Sequence, residues 1–125
     1  LAVADYNGLE TNYLLEKNIN AEASDISDAF LKEANAAGLI KKFHKLNVEK
    51  MPFEDDSFDY VSCREAFHHF PRAYLGLYEM MRVSKKAAMI VEPIDVILKM
   101  PLLVFIKNVL DRINPLLINK ILSLL

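Results

Sequence analysis

Short apolar runs alternate with stretches of helical spacing along most of the chain, and this order constrains the fold more than any other feature. The runs are "LAVA" at 1–4, "NAEAS" leading into Asp25, residues 43–48, "FDYVSC" at 58–63 and "AAMIVEP" at 87–93. Between the first two, Leu9 to Lys17 reads as a helix that Asn18 ends, because Asn tolerates the left-handed conformation. Ser27 is placed to cap a second helix, with Phe30, Leu31 and Ala34 on one face and Gly38 as its stop. A third helix, Pro71 to Val83, is expected to bury Tyr74, Leu77, Tyr78 and Met81, spaced i, i+3, i+4 and i+7. Strands joined through helices are joined by crossovers, and crossovers make neighbouring strands parallel. The expected fold class is therefore α/β, doubly wound, with a mainly parallel sheet and helices on both faces.

With 125 residues, of which 53% are hydrophobic, the chain can build one core and not two ordinary domains. From Ile94 onward the pattern becomes strongly apolar, with Asn114 as a cap and Pro115 at a first helical position. The expected division is a sheet domain over 1–95 and apolar helices over 96–125. Those helices are read as a cover for the sheet, a substrate lid or a contact with a second copy of the chain, in preference to a membrane-surface role. The run from Met100 to Ile106 contains Pro101 and stops at Lys107, well short of the ~20 residues of a membrane span, so no span is expected. A formal net charge of -2, with Lys41, Lys42 and Lys45 as the densest basic group, leaves no footprint for nucleic acid. One cysteine, Cys63, forms no internal disulfide, and the first residues lack the order of a signal peptide, which points to a reducing, cytoplasmic setting.

Open parallel sheets bind ligands at the carboxyl ends of their strands, beside the reversal of strand order. Asp25, Asn47, Cys63 with Arg64, and Glu92 stand at the ends of the second to fifth runs. A carboxylate at Asp25 can accept hydrogen bonds from two ribose hydroxyls, and Asp25 with Ser27 can equally favour the start of the next helix. In "MPFEDDSFD", Pro52 and Phe53 position a loop, "EDDS" forms a solvated turn, and Phe58 anchors the following strand. That loop delivers Asn47, Glu49 and Cys63 to the rim. In "EAFHH", a helical turn would bring His68 and His69 within reach of Glu65, as a cation site or a general base. Surface or helix-capping histidines are the structural alternative.

The succession "ASDIS", "NVEKMPFEDDSFDYVSC", "EAFHHF", "LYEMMRV" and "AAMIVEP" resembles the S-adenosylmethionine-dependent methyltransferases of the Rossmann-like class, in the branch acting mostly on small molecules. The resemblance covers residues 1 to about 95. It implies S-adenosylmethionine as cofactor and a small-molecule methyl acceptor as partner. It also implies that Asp25 holds the ribose, that Ile26 packs on the adenine, and that Asn47 meets the adenine amino group through its carbonyl, with Val48 and Glu49 beside it. Cys63 and Arg64 would line the methionine arm, and Gly8 would belong to the cofactor loop. The family's sheet has seven strands, so this chain is expected to lack the last two. A group of quinone-pathway O-methyltransferases resembles "EAFHH" with "LEHV", which sets His69 on their histidine and Glu65 and His68 on their acidic positions. His69 and His68 are therefore the catalytic candidates. No metal site is assigned, because an imidazole replaces a carboxylate at His68 and hard cations prefer oxygen.

Two segments depart from the family pattern. Aligned on Gly8, "LAVADYNGLET" has Ala4 and Tyr6 where glycines are usual, so a phenol ring is expected to compete with the methionine arm unless the loop takes another path. The turn before the fifth strand reads "KKAA" in place of Lys-Pro-Gly-Gly. These departures keep a second reading open, a degenerate methyltransferase fold that binds or scaffolds without catalysis. A nicotinamide-dependent oxidoreductase is disfavoured, since no G-x-G-x-x-G follows the first strand.

Overall fold

In the computed structural model, which describes residues 1–93, strand β1 (Ala2–Val3) lies at the centre of a five-stranded sheet. The other strands are β2 (Ala23–Asp25), β3 (Phe43–Lys45), β4 (Phe58–Arg64) and β5 (Ser84–Val91). Their order is β3-β2-β1-β4-β5, and every pairing is parallel. Helices α1 (Leu9–Glu16), α2 (Ala29–Ala36) and α3 (Ala73–Val83) lie between the strands, with a 3-10 turn at Phe67–His69. The chain steps outward from β1 to β3, then returns to start β4 on the other side of β1. Strand order therefore reverses between β1 and β4, as the doubly wound reading expects. The expectation for residues 96–125, including the Asn114 cap and Pro115, falls outside the described residues.

The register assigns each helix to a face. Ala2 is opposite Ala23 and Ser62, and Val3 is opposite Ser24 and Cys63, so residues at matching positions share a side. On one side Ala23 packs with Leu31, Ala34 and Ile40, and the Ser62 hydroxyl donates to Glu10 of α1 at 2.5 Å. On the other, Val3, Val61 and Cys63 pack with Met80 and Val83 of α3. Helices α1 and α2 thus cover one face and α3 the other.

Several helix expectations change in detail. The residue at the N-cap of α2 is Asp28 rather than Ser27, and Phe30 is exposed while Leu31 and Ala34 are buried. Helix α3 begins at Ala73, and its buried residues are Gly76, Met80 and Val83. Tyr74, Tyr78 and Met81 are 70%, 64% and 61% exposed, so the apolar stripe read from spacing faces outward. The helix carries two apolar stripes, and close packing selects the one containing glycine: a Cβ at Gly76 would lie 2.8 Å from Phe70 Cδ2. The expected stop of α1 holds, with Asn18 at φ 59.

Arg82, near the end of α3, explains the acidic loop. Its Nε and Nη2 donate to the Glu79 carboxylate at 2.7 and 2.8 Å, Nη1 donates to Phe53 O and Asp55 Oδ1 at 2.8 Å each, and Nη2 donates to Met51 O at 3.2 Å. The guanidinium presents five N–H donors in a rigid fork, and here each has an acceptor. The loop is tied to α3 through its backbone and Asp55, which makes its role structural.

Replacing Gly76→Ala sets two effects against each other. Helix propensity favours alanine by about 1 kcal/mol, whereas overpacking a filled interior costs about 1–3 kcal/mol. The Phe70 ring packs edge-on to Phe67 with centroids 5.5 Å apart, and a retreat from the added methyl would break that contact. A lower urea midpoint is expected for the variant, and an unchanged or higher midpoint would show that Phe70 moves aside freely.

Candidate functional site

The turn from β1 into α1 is held by Asp5, which is buried. Its Oδ2 accepts the Thr11 amide at 2.9 Å and the Thr11 hydroxyl at 2.7 Å, and its Oδ1 accepts the Glu10 amide at 3.3 Å. These bonds satisfy amides that the first turn of a helix leaves without partners. Ala4 sits at φ 57, a left-handed conformation that costs an L-residue roughly 1–2 kcal/mol. The loop therefore keeps a glycine-like path at Ala4 without the glycine. Gly8 has φ 73, and a Cβ there would lie 3.0 Å from Ile40 Cγ2. Its missing side chain permits close packing on the α2 side, and its neighbours Asn7 and Leu9, but not Gly8 itself, line the cavity described next.

At the carboxyl ends of β1 to β4 is a cavity of about 760 Å³. Asp25, Ile26, Asn47, Val48, Glu49 and Arg64 of the expected cofactor set line it. Asp25 Oδ1 accepts the Ser27 amide at 2.8 Å, which leaves Oδ2 without a partner among the described residues. The helix-start and ligand readings of Asp25 therefore use different oxygens. Ile26 is 69% exposed, an apolar side chain open at the cavity wall. Asn47 Oδ1 accepts the Glu49 amide at 2.9 Å, so one lone pair and the side-chain amide remain. Glu49 is committed to Arg72, accepting from its backbone amide and Nε at 2.8 Å each and from Nη2 at 2.7 Å. Tyr6 borders the cavity with its ring edge-on to Phe30, centroids 5.9 Å apart, and leaves the volume open.

Two further expectations are corrected. Cys63 has no exposed surface and belongs to the core cluster with Val61, Met80 and Val83, because alternation along β4 turns it toward α3. Desolvation, with a smaller contribution from the charge of Glu92, pushes its thiol up to about 11. Glu65, His68 and His69 do not share a helical face. Glu65 lies at φ 54 before the 3-10 turn and pairs with Arg64 at 3.3 Å. His69 lines the cavity, whereas His68 is hydrogen-bonded through Nδ1 to Glu92 and does not line it. Among the described residues no group of metal-binding side chains is assembled.

Sequence reasoning missed Asp5 and Glu10, which line the cavity, and the pairing of Glu92 with His68. Five carboxylates, Asp5, Glu10, Asp25, Glu49 and Glu65, line the cavity with Arg64. Glu49 is neutralised by Arg72 and Glu65 by Arg64, so the excess comes from Asp5, Glu10 and Asp25, which have no ion-pair partner among the described residues. The signal for Asp5 was an acid just ahead of a helix start. Glu92 was visible only as a polar strand end.

The sequence profile of the family described as "Methyltransferase domain" matches residues 1–91. The chain is 34% identical over 65 residues to "Uncharacterized methyltransferase YcgJ" of Bacillus subtilis, covering 52% of this chain and 25% of that protein. It is 38% identical over 77 residues to "Demethylmenaquinone methyltransferase" of Chlorobaculum parvum, covering 58% of this chain and 32% of that protein. The crystal structure of YcgJ superposes with a TM-score of 0.57 at 27% identity, over 67% of this chain and 38% of that one. The chain thus spans a quarter to a third of the length of these curated relatives.

A thiol reagent separates a core Cys63 from one at the cavity. In the folded chain at about pH 8 the thiol is protonated and enclosed, so labelling is expected only after denaturation. Prompt labelling of the folded chain would return Cys63 to the site.

Proposed function

We infer that the chain, which belongs to the methyltransferase-domain family, binds S-adenosylmethionine in the cavity at the strand ends and serves methyl transfer to a small-molecule acceptor. The observation that carries this reading is Asp25, at the end of β2, with one oxygen turned to its own helix start and the other without a protein partner. A carboxylate at that position suits a ribose diol. The cavity of about 760 Å³ falls within the range of small-molecule sites. Its carboxylate-rich lining favours a cationic ligand and opposes the pyrophosphate of a dinucleotide. The cofactor supplies the reactive methyl group on a sulfonium, so the chain's residues have to bind, orient and exclude water. In this reading Ile26 covers the adenine, Asn47 meets its amino group, Val48 flanks it, and Arg64 borders the methionine arm.

One observation favours a second reading, a binding module without catalysis: Ala4 and Tyr6 stand where the family's loop has glycines, and both line the cavity with side chains that a glycine would not bring. Cofactor binding with Asp25 in place separates the readings only when turnover is also measured.

Changing Asp25→Ala removes a charge-assisted hydrogen bond worth roughly 1.5–3 kcal/mol. At 1.4 kcal/mol per decade, affinity for S-adenosylmethionine is expected to fall at least about tenfold. Equal affinity in a variant with native circular dichroism would remove Asp25 from the site.

A further inference from the structure

We propose that His69 takes the proton released by the methyl acceptor and that Glu92 and His68 are the positioning residues that hold it at the cavity wall. The proposal rests on the methyl-transfer reading above. Glu92 follows β5, and the 3-10 turn carrying both histidines follows β4, so the carboxylate joins the ends of two paired strands. Glu92 Oε1 accepts the Phe67 amide at 2.8 Å, and Oε2 is bonded to His68 Nδ1. An ionised carboxylate only accepts, so His68 Nδ1 carries the hydrogen and its tautomer is set. The His68 and His69 rings lie 3.9 Å apart between centroids, tilted at 46°. The His69 amide donates to Ala66 O at 3.0 Å, which closes the turn. His69 is thus fixed from its backbone and from its neighbour's ring, and it is the histidine that lines the cavity, beside Glu65 and Phe70.

Desolvation raises the Glu92 carboxyl, but the hydrogen bonds from His68 and the Phe67 amide prevail and hold it below the usual carboxylate range. It is ionised at neutral pH, as the geometry requires.

In the transfer, a lone pair on the acceptor atom forms a bond to the methyl carbon, and the carbon–sulfur bond breaks with its electron pair passing to sulfur. The acceptor's proton passes to a ring nitrogen of His69 and from there to water. No oxidant or further reactant is needed.

Nuclear magnetic resonance of the full chain with isotope-labelled histidine tests the arrangement without knowledge of the acceptor. In the unmodified chain His68 is expected to show a downfield, hydrogen-bonded Nδ1 proton. Glu92→Gln keeps one acceptor oxygen for two donors, so it should weaken that signal. It should also change the tautomer balance of the His69 ring, read from the nitrogen chemical shifts of that ring, which a ring-current change from a displaced neighbour would not alter. Added S-adenosylhomocysteine should shift the His69 ring together with the amides of Asp25 and Ile26. A His69 tautomer balance unchanged by Glu92→Gln, or a His69 ring unmoved by a ligand that shifts Asp25 and Ile26, would overturn the proposal. Absence of ligand shifts at Asp25 and Ile26 would overturn the cofactor reading instead, a failure distinguishable from that of the positioning contacts, which the ligand-free spectra judge. If Glu92→Gln loses native amide dispersion, His68→Gln applies the same criterion to His69.

Discussion

The parallel pairing of β1 on both sides is the constraint on which the site depends. The strand is two residues long, Ala2 and Val3 are each 1% exposed, and it pairs with the first two residues of β2 on one side and with Ser62 and Cys63, near the end of β4, on the other. So short a strand leaves the chain to turn at once, at Ala4, while still within hydrogen-bonding reach of β2: the Asp5 amide donates to Ser24 O at 3.0 Å. Asp5 then spends both carboxylate oxygens on the start of α1. The reversal of strand order and the first turn are therefore held by one short buried segment, and the cavity opens beside it.

The succession of elements was legible because periodicity and caps are local properties. The apolar runs 58–63 and 87–93 needed only their length and flanking helices to be read as strands, although β5 begins at Ser84, so "KKAA" belongs to the strand and not to a turn before it. What spacing could not supply was the choice between faces. In α3 the stripe of Tyr74, Tyr78 and Met81 is more hydrophobic to the eye than Gly76, Met80 and Val83, yet the second packs closer because Gly76 admits the Phe70 ring. The same limit misplaced Cys63: its strand end was read correctly, but which way alternation turned its side chain depended on which face α3 covers.

The site was partly legible for a related reason. Asp25, Ile26, Asn47, Val48, Glu49 and Arg64 stand at strand ends, and topology alone brings them to one cavity. Glu49 is there mainly to hold Arg72, a contact across 23 residues that no spacing announces. The histidines show the same dependence on tertiary partners. A helical reading grouped Glu65 with both, whereas the left-handed Glu65 and the 3-10 turn send His68 to Glu92 and His69 to the cavity.

The central claim is that this chain's carboxylate-lined cavity holds S-adenosylmethionine and not a dinucleotide. Calorimetric titration of the folded chain with S-adenosylmethionine and, separately, with a nicotinamide dinucleotide tests it most directly. The account predicts saturable one-to-one binding of S-adenosylmethionine, at least about tenfold tighter than the dinucleotide, a difference of about 1.4 kcal/mol. Binding of the dinucleotide as tightly, or no binding of S-adenosylmethionine by a chain whose circular dichroism is native, would contradict it.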